Sequence, residues 1–231
     1  MYVIDNKVFL HMVKCAGISV HQSAVNESKK IDFNLRHFSP EYLPERYQEL
    51  PRYAVTRNPD SWYKSFYRFF LGVEGYMSFM LNDLKDDGYI YPIGLNEFIK
   101  RSINLKDTLI KYPNKARVFN NILRSQGNVH FINSYFKGSF DVYKPETLEQ
   151  FNMSLYEWFY RGAGLHTVPE ENLISMDSMN SMNSMNNLSK VEEIFDIKLK
   201  HLNKTAENKP KEEINEDILK LLHDTHEEFF R

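Results

Sequence analysis

The chain has 231 residues, 42% of them hydrophobic and 26% charged, with a formal net charge of −2. That length fits one domain able to bury a sizeable core, the charge balance argues against general nucleic-acid binding, and no run of 18 apolar residues offers a membrane span. The single cysteine, Cys15, excludes an intrachain disulfide and points to a reducing compartment. With no charged N-terminal region leading into an apolar stretch, the expected location is cytoplasmic. The sequons at Asn26, Asn152, Asn187 and Asn203 then carry no weight.

In chain order, the pattern predicts a strand over about 7–12 and a helix over about 17–28. Ile31 to Leu35 reads as a short strand. Ser39-Pro40-Glu41 opens a short helix, with Ser39 as cap and Pro40 at the first position. A strand covers about 52–56 and a helix about 59–71, entered through Asn58-Pro59. Helical spacing returns over about 95–103 and 113–125. Val129 to Ile132 and Phe140 to Tyr143 read as strands, and Glu146 to about Tyr160 as a helix. Leu188 to Phe195 and Ile214 to Phe230 read as helices. Alternating strands and helices imply an α/β fold, a parallel sheet flanked by helices on both faces. The triplet repeat Ser178-Met-Asn-Ser-Met-Asn-Ser-Met-Asn186 has no helical or strand period, so a low-complexity surface loop is expected at about 176–187 of a single 1–231 domain.

Two strand-to-helix turns carry the chemistry. In Val8-Phe-Leu-His11-Met-Val-Lys14-Cys15-Ala16-Gly17-Ile18-Ser19, an apolar strand runs through a lysine and small residues into a helix start. Amide N–H groups at a helix N-terminus face an anion, and a lysine supplies full charge. The nucleotide triphosphatase P-loop, Gly-x-x-x-x-Gly-Lys-Ser/Thr, is absent. In Tyr53-Ala-Val-Thr-Arg57-Asn-Pro59, Arg57 stands at a strand tip and Ser65 two helical turns beyond Asn58. An arginine fork and a hydroxyl suit a second phosphate. Ligands of such sheets sit at the carboxyl ends of strands, where both turns fall.

These residues resemble the sulfotransferase family. His11-Met-Val-Lys14-Cys-Ala-Gly17-Ile-Ser19 is similar to the family's 5′-phosphosulfate loop, His-Ile-Pro-Lys-Thr-Gly/Ala-Gly-Thr-Ser. Arg57-Asn-Pro59, with Ser65 and Tyr67, resembles its 3′-phosphate motif, Arg-Asn-Pro-x-x-Arg-x-x-Ser-x-Tyr. Phe140 to Leu148 resembles the D-x-x-x-R-x-E-x-L segment, and Leu199-Lys-His201-Leu-Asn203-Lys204-Thr205 the P-H-x-N-K-T/S loop. Leu219 to Phe230 resembles the closing helix. The likeness covers most of the chain, with a gap at about 150–185, and its nearest branch acts on carbohydrates.

The resemblance implies a P-loop-like three-layer sulfotransferase fold. It implies 3′-phosphoadenosine 5′-phosphosulfate as donor, adenosine 3′,5′-bisphosphate as product, no metal, and a hydroxyl acceptor on a saccharide or glycoconjugate. Lys14 would neutralise the leaving oxygen. Lys14, Cys15, Ala16, Gly17, Ile18 and Ser19 would hold the 5′ side of the donor, and Arg57 and Ser65 its 3′-phosphate. Asn203, Lys204 and Thr205 would close over the nucleotide. His37, between the two phosphate motifs, is the first candidate for the base that takes the acceptor's proton, and His130 the second. Glu27 and Glu41 stay open as bases, while His11 is expected to be structural. Tyr89, Tyr91, Trp158 and Tyr160 are candidates for stacking on a sugar.

The departures are specific. Val13 replaces a proline, Cys15 and Ile18 replace two threonines, Trp62 stands where an arginine is common, and Lys144 replaces an arginine. They admit a nucleotide-binding relative that has lost turnover. A P-loop kinase lacks its Lys-Ser/Thr here, and for a non-enzymatic interaction protein only the Met-Asn repeat speaks. The acceptor and the oligomeric state are not legible.

Overall fold

The computed structural model describes residues 1–35, 38–70, 82–84, 90–111, 152–177, 184–199 and 212–229. Two compact units emerge. One comprises Met1–Asn58, Gln126–Phe131 and Phe159–Lys204, and the other Pro59–Ser125, Ile132–Trp158 and Thr205–Arg231.

The first unit is built on a five-stranded sheet. Its strands are β1 (Tyr2–Ile4), β2 (Lys7–Leu10), β3 (Ile31–Asn34), β4 (Arg52–Thr56) and, late in the chain, β7 (Leu173–Ser175), in the order β3-β1-β2-β4-β7. β1 and β2 form a hairpin closed by Asp5 and Asn6, both left-handed at φ 44° and 60°. That pair of positive φ values is the two-residue turn whose twist matches the strands, and Asp and Asn tolerate it. β1 pairs antiparallel with both β2 and β3, while β2, β4 and β7 pair in parallel. Four strands therefore run one way and β1 alone runs the other. The expected all-parallel sheet is corrected to a mixed one, because a three-residue strand before a tight turn leaves no periodic pattern to read.

Both faces of the sheet are buried. Tyr2, Phe9 and Tyr53 lie on one face, and Val3, Val8, Leu10 and Ala54 on the other; all but Tyr53 are fully inaccessible. A strand covered on both sides has no polar face, which is why Val8-Phe-Leu reads as an unbroken apolar run. α1 (Gly17–Asn26) places His21 against Tyr2, ring centroids 4.7 Å apart. α6 (Ser184–Phe195) drives Phe195 edge-on into both Phe9 and Tyr53 at 5.7 Å. α6 starts at Ser184, inside the Met-Asn repeat and one turn earlier than the periodicity placed it. Ser39 precedes a 3-10 turn at Pro40–Tyr42 as expected, but its hydroxyl donates to the Glu41 carboxylate and caps no amide.

The second unit is mainly helical: α2 (Pro59–Phe70), α3 (Leu95–Ile103), α4 (Leu105–Lys111) and α7 (Glu216–His226), with a two-stranded ribbon of β5 (Asn82–Leu84) and β6 (Ile90–Pro92). Its core is aromatic. Trp62, Tyr63, Phe66 and Tyr67 fall on one face of α2 and are buried. Phe66 stacks on Phe98 of α3 at 6.0 Å, and Trp62 meets Tyr156 edge-on at 5.4 Å. Glu212 caps α3 from outside, taking the Leu95 N–H at 2.5 Å and the Tyr67 hydroxyl at 3.1 Å.

α5 (Leu155–Gly162) replaces only the end of the helix expected from Glu146. Residues 152–154 are not helical, and the Ser154 hydroxyl accepts the Glu157 N–H at 3.1 Å. Ser154-Leu-Tyr-Glu157 has the spacing of a capping box, so a helix start sits where periodicity alone placed a helix interior. The expected helix at 113–125 and the strands at Val129–Ile132 and Phe140–Tyr143 lie outside the described residues.

Candidate functional site

The connection leaving β2 passes through α1 toward β3 on one side of the sheet order. The connection leaving β4 leads to β7 on the other side. Neighbouring strands whose connections part in this way open a crevice at their carboxyl ends, the usual ligand position in open α/β sheets. The turn holding Lys14 follows β2, and Arg57 is the first residue after β4. The turn with Lys14 and the residue Arg57 thus follow neighbouring parallel strands, about 4.8 Å apart. β7 brings Asp177 to the next tip along.

The turn is tightly wound. Lys14 and Ala16 both have left-handed backbones, φ 67° and 54°. Neither is glycine, and each such residue costs on the order of 1–3 kcal/mol, a cost retained where surrounding structure enforces it. The Cys15 N–H donates to the Met12 carbonyl at 3.2 Å, closing the turn. Ala16 is the N-cap of α1 and supplies no side-chain cap, so the first-turn amides of Gly17, Ile18 and Ser19 receive no acceptor from their own cap residue. Lys14, Ala16, Ile18 and Ser19 are half-buried.

His11 explains Gly17. The ring is 3% exposed, its Nδ1 lies 3.2 Å from the Tyr2 hydroxyl, and it stacks on the Tyr2 ring at 5.8 Å. A Cβ on Gly17 would come within 1.9 Å of His11 Cδ2. The histidine is thus a wedge under the turn, as its expected structural role requires, and only glycine fits above it.

Cys15 points inward and is 1% exposed. Burial pushes its thiol up to about 12, while the charges of Arg57 and Lys14 pull it down and that of Asp177 pushes it up. The thiol therefore presents no group to a ligand, and any contribution of Cys15 to the crevice comes through its backbone.

Arg57 is braced by the end of β7. Its Nη2 lies 3.8 Å from Met176 Sδ, the Met176 N–H donates to the Thr56 carbonyl at 2.9 Å, and the Asn58 N–H donates to the Asp177 carboxylate. Asp177 and Met176 were not singled out in the sequence, because the three-residue strand β7 sits in the stretch without recognisable motif. The signal present is Leu173-Ile174, a short apolar pair after a turn at Pro169.

Ser65 is half-buried on α2, in the second unit. Trp62, at the position where an arginine is common, is fully buried in the aromatic core. Tyr67 donates to the Ile93 carbonyl at 2.7 Å, a packing role. Trp158 is also fully buried, so it offers no face to a sugar. His37, His130, Asn203, Lys204, Thr205 and Tyr89 lie outside the described residues. β3 ends on the same side of the sheet as β2 and β4. Among the described residues no group of three or more His, Cys, Asp or Glu side chains could hold a metal ion, and no helix is long and apolar enough to cross a membrane.

No family model, curated protein or solved structure matches the chain.

Proposed function

We propose that this chain transfers a sulfuryl group from 3′-phosphoadenosine 5′-phosphosulfate to a hydroxyl of a carbohydrate acceptor, on a P-loop-like sulfotransferase fold. The observation that supports the reading is that the turn bearing Lys14 follows β2 and Arg57 follows β4, its parallel neighbour, with no side-chain cap from Ala16 at the start of α1. Two cations and a row of amides suit a ligand with two separate anionic groups. An ordinary adenine nucleotide has only one phosphate end to offer them.

The acceptor oxygen attacks sulfur in line. The new O–S bond forms as the bond from sulfur to the bridging oxygen breaks, and that electron pair stays on the departing 5′-phosphate. Lys14 and the first-turn amides of α1 neutralise the developing charge. Arg57 takes the 3′-phosphate. The acceptor's proton passes to a base, for which His37 is the first choice and His130 the second. Asn203, Lys204 and Thr205 cover the nucleotide.

A second reading, a nucleotide-binding relative that does not turn over, draws on Cys15. Where the family places a threonine hydroxyl, this chain has a buried thiol. Both readings require binding of adenosine 3′,5′-bisphosphate, and transfer of labelled sulfate to saccharides separates them.

The test is a thermal shift with the bisphosphate against AMP and ATP, on the wild type, Lys14→Ala and Arg57→Ala. Ligand at a hundred times its Kd stabilises the folded state by about 2.7 kcal/mol. Preferential stabilisation by the bisphosphate is expected. Arg57→Ala should abolish the preference over AMP, a charge-assisted contact being worth about 1.5–3 kcal/mol. Equal shifts with all three nucleotides, or none at millimolar ligand, would overturn the reading.

A further inference from the structure

Asp177 is an acidic side chain at a site read as binding anions, and general electrostatics makes that unfavourable. Its environment gives a reason for its presence. The residue stands two positions beyond β7, and its own N–H donates to the Ser175 hydroxyl at 3.3 Å, fixing the backbone. Its carboxylate accepts the Asn58 N–H. Asn58 follows Arg57 directly and precedes Pro59, the first residue of α2. Met176, beside Asp177, meets the Arg57 guanidinium and also extends the β4–β7 ladder through Thr56. The β7 tip thus makes contacts with Thr56, Arg57 and Asn58 in succession. The charges of Arg57 and Asp177 also act on the Cys15 thiol with opposite sign.

We propose that Asp177 is the positioning residue for Arg57. By holding the Asn58 amide, and through it the turn between β4 and α2, it fixes the guanidinium at the β2/β4 crevice. It thereby sets the preference for a nucleotide carrying a 3′-phosphate. The proposal rests on the sulfotransferase reading and names what gives that site its selectivity. The charge of Asp177 is tolerated because its Oδ2 is occupied by an amide donor. The essential property is acceptance of one hydrogen bond, which an asparagine Oδ1 also provides.

The test is calorimetric titration of adenosine 3′,5′-bisphosphate and of AMP into the wild type, Asp177→Ala, Asp177→Asn, Arg57→Ala and Arg57→Ala/Asp177→Ala. Melting temperatures without ligand establish that each variant is folded. Asp177→Ala should weaken bisphosphate binding by about tenfold, the effect of losing one such contact, and leave AMP binding within about twofold. Asp177→Asn should keep the wild-type preference, which rescues the position on hydrogen bonding alone. The double variant should bind no more weakly than Arg57→Ala, because a residue acting through Arg57 has nothing to lose once Arg57 is gone. A wild-type preference that survives Asp177→Ala overturns the positioning role and leaves the sulfotransferase reading intact. Tighter binding of both nucleotides in Asp177→Asn also overturns it, since the carboxylate would then act only as a repelling charge. A wild type that does not prefer the bisphosphate overturns the sulfotransferase reading and the positioning role with it.

Discussion

Replacing Gly17 by alanine tests the built geometry of the turn directly. The added Cβ would stand 1.9 Å from His11 Cδ2 and 2.2 Å from Cγ and Nε2, whereas ordinary contact begins near 3.4 Å. Something must therefore move by about 1.5 Å. The imidazole has little room to yield, being 3% exposed, stacked on Tyr2 and in contact with its hydroxyl. The backbone of Gly17, at the first turn of α1, is then the part that shifts. Overpacking of this kind costs about 1–3 kcal/mol. Denaturant unfolding should show that loss as a lower midpoint with an unchanged slope. The compensating change is His11→Ala, which removes the obstructing ring at the cost of a cavity. The double variant Gly17→Ala/His11→Ala should be more stable than the sum of the single losses by about 1 kcal/mol or more, the coupling expected of residues in direct contact. Strict additivity, or a Gly17→Ala protein as stable as the wild type, would refute the wedge and with it the role of His11 in shaping the turn at Lys14 from below.

Two further outcomes follow from buried titratable groups. His226 is 1% exposed among Tyr63, Tyr156 and Phe229, its Nε2 has no hydrogen-bond partner among the described residues, and burial holds its imidazole down at about 4. A depressed histidine makes the unfolded state the better proton binder below the ordinary value of 6.5. Its contribution is thus intact above pH 6.5, and about 3 kcal/mol is lost as pH falls to 4. Urea midpoints measured from pH 7 to pH 4 on the wild type and on His226→Phe should diverge over that window; parallel curves would refute the assignment. Cys15, with its thiol at about 12 and fully enclosed, has almost no thiolate at neutral pH. A thiol-specific reagent should label it only as fast as the structure opens, and labelling within seconds in native buffer would contradict its inward orientation.

The legibility of this chain follows the length of its elements. β2, β4, α1 and α2 were readable because each carries a long enough apolar pattern and a turn signal: Asn58-Pro59 before α2, and the small residues before α1. The turn at Lys14 and the strand tip at Arg57 follow from those four elements, so half of the crevice could be drawn from sequence. The left-handed backbones at Lys14 and Ala16 could not, since lysine and alanine give no sign of positive φ. β1 and β7 are three residues each, too short for alternation to show, and their loss had unequal consequences. Missing β1 changed the sheet from mixed to parallel but left the order of β2 and β4 intact. Missing β7 removed Asp177 and Met176, the residues that hold Arg57 in place. Ser154-x-x-Glu157 was legible as a helix start, but the periodic run around it was read through without that punctuation. The lesson lies in Arg57. Its side-chain chemistry is the basis for expecting an anionic ligand, whereas the amide next to it is held by a residue 120 positions away that no local pattern connects to it. A long-range amide–carboxylate contact is a product of topology, and the strand order β2-β4-β7 is what makes Asp177 a neighbour at all.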